Sequence, residues 1–356
     1  MLTSRNTAAL ALAIAGLSSC AETSAPLPPP EEVVVVLNTN AASLSLLPVE
    51  TPAQVTTVPL GPSDVQPASV TTRGAFGVVA LQGRDAIAII DLRGGHLVST
   101  IPLAPGSGVA GAALISDSVA YVSNSALETV TRVNLSTGDT ISIRVGQTPQ
   151  QITYTRGRLL VINANLDSLG RPAGPSWISV VDVATRAGFV TDSIPLFGPG
   201  NARFSTVAGD GLVYVVQDGD PVTDEGRLSA VDPVERTERA SFGGFGFGPG
   251  DLASDGADRL LISSRTEGIM EFDTAERTVV RGAGNGIMIP GNTGVAVDSR
   301  GRIYALEAGC SDNGAVHILR SDFTEIRSVP VGRCAGQILL ARVPPAGFET
   351  ADEPQP

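Results

Sequence analysis

The sequence predicts an all-β fold, a seven-bladed β-propeller of four-stranded antiparallel blades closed by pairing of its two terminal strands. Three observations predict it. Short runs rich in Val, Ile and Leu recur along the chain between Gly, Asp, Asn and Pro, and no later segment keeps a helical period. The runs fall into a repeating order of four. The first and last units are incomplete in complementary ways, and joining them completes a ring.

The unit is plainest from 149 to 196, where Pro149–Tyr154, Arg158–Asn163, Trp177–Asp182 and Phe189–Ile194 read as four successive strands. First strands of this kind begin near Pro67, Ala110, Pro149, Asn201, Asp251, Asn292 and Gly336. Third strands end at Asp91, Asn134, Asp182, Asp232 and Asp273, with Arg320 in the sixth place. An Asp or Asn there accepts backbone N–H groups and opens the hairpin to the fourth strand. The recurring acid is therefore expected to be structural, one per unit. The seventh first strand, Gly336–Val343, has nothing after it except a polar tail. Its missing partners stand at the other end as Val33–Leu37, Ala42–Leu47 and Val55–Val58. Closing the ring hides strand edges that would otherwise template aggregation. Residues 33–343 then give blades averaging about 44 residues, within the usual range for such units.

Residues 1–19 read as a secretory signal: Arg5, the apolar run Ala8–Leu17, then small residues. Leu17-Ser18-Ser19-Cys20 resembles the lipobox of bacterial lipoproteins, which implies diacylation of Cys20. Residues 20–32 continue as a Pro-rich spacer, extended and solvated, and residues 344–356 form a polar tail. Several acyl chains would hold the domain at a membrane without a spanning helix. The expected location is the bacterial cell envelope, on the periplasmic face, at the outer membrane or at the cell surface. In that oxidising setting the remaining cysteines, Cys310 and Cys334, are expected to form a disulfide.

Composition narrows the chemistry. The net charge is −12 and every basic residue is Arg, which removes Schiff-base lysine, Walker-type and Ser-Lys mechanisms. An acidic chain without a basic cluster is not expected to take nucleic acid as a partner. A monomer is expected, its partners being the membrane through the anchor and a protein, peptide or small molecule.

Tyr121-Val122-Ser123-Asn124, followed by Val130–Gly138 and Val145–Pro149, resembles the YVTN-type repeat of bacterial seven-bladed propellers, with Ser123 in place of the motif Thr. Ile87–Leu92 and Ile178–Thr185 carry the signature more loosely, and Gly294–Tyr304 is similar to NHL-type propeller repeats. The resemblance implies the fold; it leaves function open, because propellers host unrelated activities.

Propellers generally meet ligands on the face made by the fourth-to-first and second-to-third loops. Asn163–Ser176, Asp218–Gly226 and Ala308–Gly314 are such loops here. The acidic stretch Asp218–Glu225, with Asp218 and Asp220, offers oxygen ligands for calcium but lacks the spacing of an EF-hand. The Gly-rich run Gly243–Gly250 fits no phosphate-binding motif and reads as a flexible loop. No G-x-S-x-G occurs, and neither His96 nor His317 falls where a general base would meet ligand. The primary expectation is a non-catalytic binding or scaffold module without a cofactor. The alternative is a lactonase-like hydrolase or lyase in which Asn201, Asp251, Asn292 and Asp218 hold a divalent metal.

Overall fold

A computed structural model describes residues 28–184, 188–219 and 225–347. The signal segment, Cys20, most of the spacer, Asp220 and the end of the tail lie outside the described residues. The chain opens with β1 (Glu31–Asn38), β2 (Ser43–Pro48) and β3 (Thr56–Pro59). A second blade follows in β4 (Pro67–Arg73), β5 (Phe76–Leu81), β6 (Ala86–Asp91) and β7 (His96–Pro102). The third holds β8 (Val109–Ser116), β9 (Val119–Asn124), β10 (Thr129–Asn134) and β11 (Thr140–Arg144). The fourth holds β12 (Pro149–Thr155), β13 (Arg158–Asn163), β14 (Trp177–Asp182) and β15 (Phe189–Pro195). The fifth holds β16 (Ala202–Val207), β17 (Val213–Gln217), β18 (Arg227–Asp232) and β19 (Thr237–Phe242). The sixth holds β20 (Pro249–Ser254), β21 (Arg259–Ser264), β22 (Gly268–Asp273) and β23 (Thr278–Arg281). The seventh holds β24 (Asn292–Val297), β25 (Ile303–Glu307), β26 (Ala315–Leu319) and β27 (Glu325–Pro330), and β28 (Ala335–Val343) ends the ring.

Seven four-stranded antiparallel sheets result, and the sheet order β28-β1-β2-β3 joins the two ends of the propeller. β28 is the innermost strand of that blade. Its register with β1 runs from Glu31 opposite Val343 to Val36 opposite Ile338. The innermost strands β4, β8, β12, β16, β20, β24 and β28 touch in succession and return from β28 to β4. The expected first-strand starts fall within two residues of those observed.

Burial follows from radial packing. Second and third strands are covered by neighbouring blades on both faces, so they carry unbroken apolar runs such as Val33–Leu37 and Leu159–Ile162. Fourth strands sit at the rim and commit little: β3, β7, β15 and β27 bury Val58, Ile101, Ile194 and Val329. In each of these four strands the next residue is Pro, at Pro59, Pro102, Pro195 and Pro330. Pro has no N–H, so it is tolerated on an unpaired edge and blunts it.

The third-strand acids behave as the sequence predicts. Oδ1 of Asp91, Asn134, Asp182, Asp232 and Asp273 accepts backbone N–H bonds from residues two or three ahead. In the seventh blade the task passes from position 320 to Asp322, which accepts from Thr324 N–H at 2.9 Å.

Cys310 and Cys334 are bonded. Cys310 lies in the β25–β26 loop and Cys334 stands one residue before β28, so the bond staples the seventh blade to the closing strand. The backbone repeats the tie: Cys334 N–H donates to Gly309 at 3.1 Å, and Thr39 N–H, just past β1, donates to the Cys334 carbonyl at 2.9 Å.

Ile338, Ala341 and Val343 of β28 are buried, while Leu339 and Leu340 are half-buried. A buried Ile or Val is worth about 1.5–3 kcal/mol. Truncation after Arg333 should therefore abolish cooperative melting of a monomeric domain; a truncated chain that melts like the full one would contradict closure by the termini. Replacing both cysteines with Ser should lower unfolding free energy by about 3 kcal/mol, since the closed loop is of intermediate length. An unchanged denaturation midpoint would show that the staple is energetically idle.

Candidate functional site

Each innermost strand departs from regular pairing just after its first residue. The register shifts lie between Pro67 and Ser69, Val109 and Ala112, Pro149 and Ile152, Ala202 and Phe204, Pro249 and Leu252, and Asn292 and Gly294. In β28 it falls at Gly336, between Gln337 and Ala335. A bulge adds an unpaired residue and re-aims its side chain. Seven bulges at one level around an axis build a site from backbone geometry alone.

The result is an axial cavity of about 610 Å³. Its wall is unequal. Three adjacent blades contribute polar bulge residues, Gln150, Gln151, Arg203 and Asp251. On the opposite arc the bulge residues are Ala68, Ala110, Gly111 and Gly336, and Ser69, Thr71 and Gln337 line the wall beside them. Gly111 is required by close approach, because a Cβ there would stand 2.5 Å from the Gln150 carbonyl of the next blade. Side chains also bridge the free edges of the inner strands. Gln337 Oε1 accepts Val70 N–H at 2.8 Å, Gln151 Oε1 accepts Ser205 N–H, and Thr293 Oγ1 donates to the Ala335 carbonyl at 2.8 Å.

Asp251 is the buried carboxyl of this wall. Leu252 N–H donates to its Oδ1 at 2.9 Å. Burial pushes the carboxyl up to about 7, and that hydrogen bond offsets only part of the shift. Gly294 of β24 lies beside it, and that glycine is required by the close approach of Ile338, whose Cγ2 would stand 2.8 Å from a Cβ there. A carboxyl that holds its proton near neutrality both donates and accepts hydrogen bonds.

The other expected site residues are placed differently. Arg203 pairs with Asp218 at 3.1 Å and lies 5.2 Å from the ring of Phe204. Burial raises the Asp218 carboxyl, and Arg203 opposes that rise. Asp218 thus holds Arg203 at the edge of the cavity and does not itself line it. Asn201 has a left-handed backbone, with φ of 54°, and its main chain bonds to Ala164 and Asp218. Asn292 is buried; its Nδ2 donates to the Gly268 carbonyl at 2.9 Å, and its Oδ1 accepts Gly294 N–H at 3.4 Å. Asp251 alone of the three reaches the cavity wall, and Asn201 and Asn292 belong to turns and strand starts. Among the described residues no group of three or more His, Cys, Asp or Glu is arranged to hold a metal.

The Gly-rich run is a fixed connection. Gly246 and Gly244 carbonyls accept from Gly226 and Ala283, Gly244 N–H donates to Glu225, and Phe245 is buried against the Phe272 cluster. Gly244 and Gly246 have φ of 95° and 63°, which a side chain would resist.

A recurring polar pair escaped the reading of single motifs. The last residue of the second strand reaches a hydroxyl on the third: Asn38 to Ser45, Asn124 to Thr131, Asn163 to Ser179 and Gln217 to Ser229, at 2.8–3.0 Å. In the seventh blade the same two positions hold Glu307 and His317. His317 Nε2 is 2.9 Å from Glu307, and Nδ1 is 3.0 Å from Glu325. Aligning second-strand ends across blades is the signal that exposes it.

The fold and axial site define this chain as a seven-bladed β-propeller. No family model matches the sequence, and no curated protein matches it. Solved structures match its architecture. A streptogramin B lyase structure superposes with a TM-score of 0.62 at 12% identity, over 79% of this chain and 91% of that one. Hydrazine synthase of Kuenenia stuttgartiensis gives 0.64 at 18%, over 87% and 100%. A functionally unknown protein from Desulfotomaculum acetoxidans gives 0.66 at 14%, over 87% and 99%. At these identities the likeness is one of fold.

Asp251 generates a signed pH dependence. Between about pH 4 and 7 the native carboxyl keeps a proton that the unfolded chain has released, so stability falls as pH rises through that window and levels above it. Asp251→Asn should match the wild type near pH 4 and exceed it above pH 7, by up to roughly 4 kcal/mol. Urea midpoints across pH 4–8 that run parallel for the two proteins would refute the assignment.

Proposed function

We propose that this chain is an exported propeller, anchored at the bacterial cell envelope through lipid on Cys20, that acts as a non-catalytic binding or scaffold module. Its ligand or partner engages the axial cavity and the loops around it. The supporting observation is the cavity wall itself. Bulges on three neighbouring blades place Gln150, Gln151, Arg203 and Asp251 on it, while the small bulge residues of the facing arc leave volume for a bound group beside Ser69, Thr71 and Gln337. Concave sites with a few convergent polar groups are the usual form of small-ligand sites. The spacer after Cys20 is suited to a tether, with the propeller beginning at Glu31. Acyl chains on Cys20 would supply the attachment; among the described residues no helix is long and apolar enough to cross a membrane.

A second reading, an envelope hydrolase or lyase using a divalent metal, draws on Asp251. A cavity-lining carboxyl that titrates near neutrality is suited to proton transfer. The architecture shared with a streptogramin B lyase is consistent with it. The residues assembled around Asp251 favour binding, because the Asn292 side chain is engaged with backbone and neither it nor Asn201 lines the cavity.

The test has two arms. Expressed in a bacterial host with labelled palmitate, the wild type should take up label and sediment with membranes, and Cys20→Ala should do neither. In thermal melts, a chelator followed by calcium should leave the transition nearly unmoved. An upward shift of many degrees on adding calcium would favour the metal enzyme, since a native-state ligand stabilises by mass action; label retained by Cys20→Ala would remove the anchor.

A further inference from the structure

A second cavity, of about 500 Å³, adjoins the axial one and shares Thr39 and Gln82 with it. Asn40, Ser63, Gln66, Pro67 and Arg333 complete its wall. It lies over the seam between the closing blade and β4–β7, beside the disulfide. Thr39 Oγ1 donates to the Cys334 carbonyl at 2.8 Å, and the Arg333 guanidinium is 3.4 Å from the Cys310 carbonyl. The two cavities form one cleft that runs from the axis outward.

We infer that this cleft binds a neutral polyhydroxylated ligand, a short saccharide chain, with its inner end at Asp251 and its outer end at Arg333. The inference rests on the binding reading above and assigns it a chemistry. Six amides of the ring are spent on structure: Gln151 and Gln337 clamp neighbouring strands, and Asn38, Asn124, Asn163 and Gln217 hold third-strand hydroxyls, while among the described residues the Gln150 side chain on the axial wall has no such bond. In the outer cavity the side chains of Asn40, Ser63, Gln66 and Gln82 are exposed, and none of the hydrogen bonds described in the protein uses them. Amide and hydroxyl side chains each donate and accept, which matches sugar hydroxyls that do the same. A strongly charged ligand would meet little compensation, because Arg203 is already paired with Asp218 and only Arg333 stands at the outer end. A peptide needs apolar recesses for alternate side chains. Ile152, Phe204 and Leu339 offer such surface in the axial part, but among the described residues the outer cavity has Pro67 as its one apolar lining residue.

The full chain, held in a detergent without a sugar headgroup, is titrated calorimetrically with maltotetraose, cellotetraose and chitotetraose, and with tetra-alanine amide as the peptide rival. At least one tetrasaccharide should bind, and Gln82→Ala and Gln66→Ala should each weaken it about tenfold, the loss of about 1.4 kcal/mol. Both residues are exposed, so the melting temperature should hardly change. Failure of all three sugars, or sugar binding indifferent to Gln82→Ala, overturns the inference. If the sugars fail while the peptide binds and Asp251→Ala abolishes that binding, the saccharide is wrong and the axial binding module stands. If neither class binds and calcium stabilises the fold, both fall together.

Discussion

The antiparallel pairing of β28 with β1 is the constraint on which the structure depends. It couples residues about three hundred positions apart and turns an open row of sheets into a ring. Without it, the row would expose the edge of β1 at one end and leave β28 without a sheet. The pairing is reinforced where it is weakest, at the loop-face end of the strands. There Thr39, Gly309 and Cys334 share backbone hydrogen bonds, and the disulfide fixes the approach of β28. The disulfide adds a covalent tie between the seventh blade and β28, so it positions the strand whose pairing with β1 closes the ring, a pairing that is itself non-covalent.

Ring formation also explains the site. Seven inner strands converge on an axis, and each relieves the crowding with a bulge after its first residue. Those bulges set the depth of the cavity, while the residue types on them set its character. On the bulges, polar side chains gather on three adjacent blades and small ones occupy the facing arc. A symmetric scaffold thereby acquires a polarised wall without altering any strand's place in its sheet.

Most of the fold was legible because blades need little more than alternating strands, turn residues and a count. Asp91 through Asp273 marked the hairpins, and the complementary ends at Val33 and Val343 implied closure. The site was legible only in part. Asn201, Asp251 and Asn292 all open first strands and cannot be ranked by sequence, because a bulge leaves no compositional mark. Asp251 sits on its bulge and meets the cavity; Asn292 precedes its bulge, and Asn201 stands outside the strand. The Glu307–His317–Glu325 set was hidden for another reason. Its meaning appears only when the seventh blade is compared with the Asn and Gln pairs of its neighbours.

The prolines at 59, 102, 195 and 330 bear on how such a ring behaves in a crowd. Each stands on an outermost strand, where one backbone donor is missing and a neighbouring chain would have to dock in extended form. On those blades the circumference resists zippering with other molecules, which leaves the two flat ends as the surfaces through which contacts can be selective. Lateral inertness and axial recognition are thus set by the same repeated unit, one by its outermost strand and the other by its innermost.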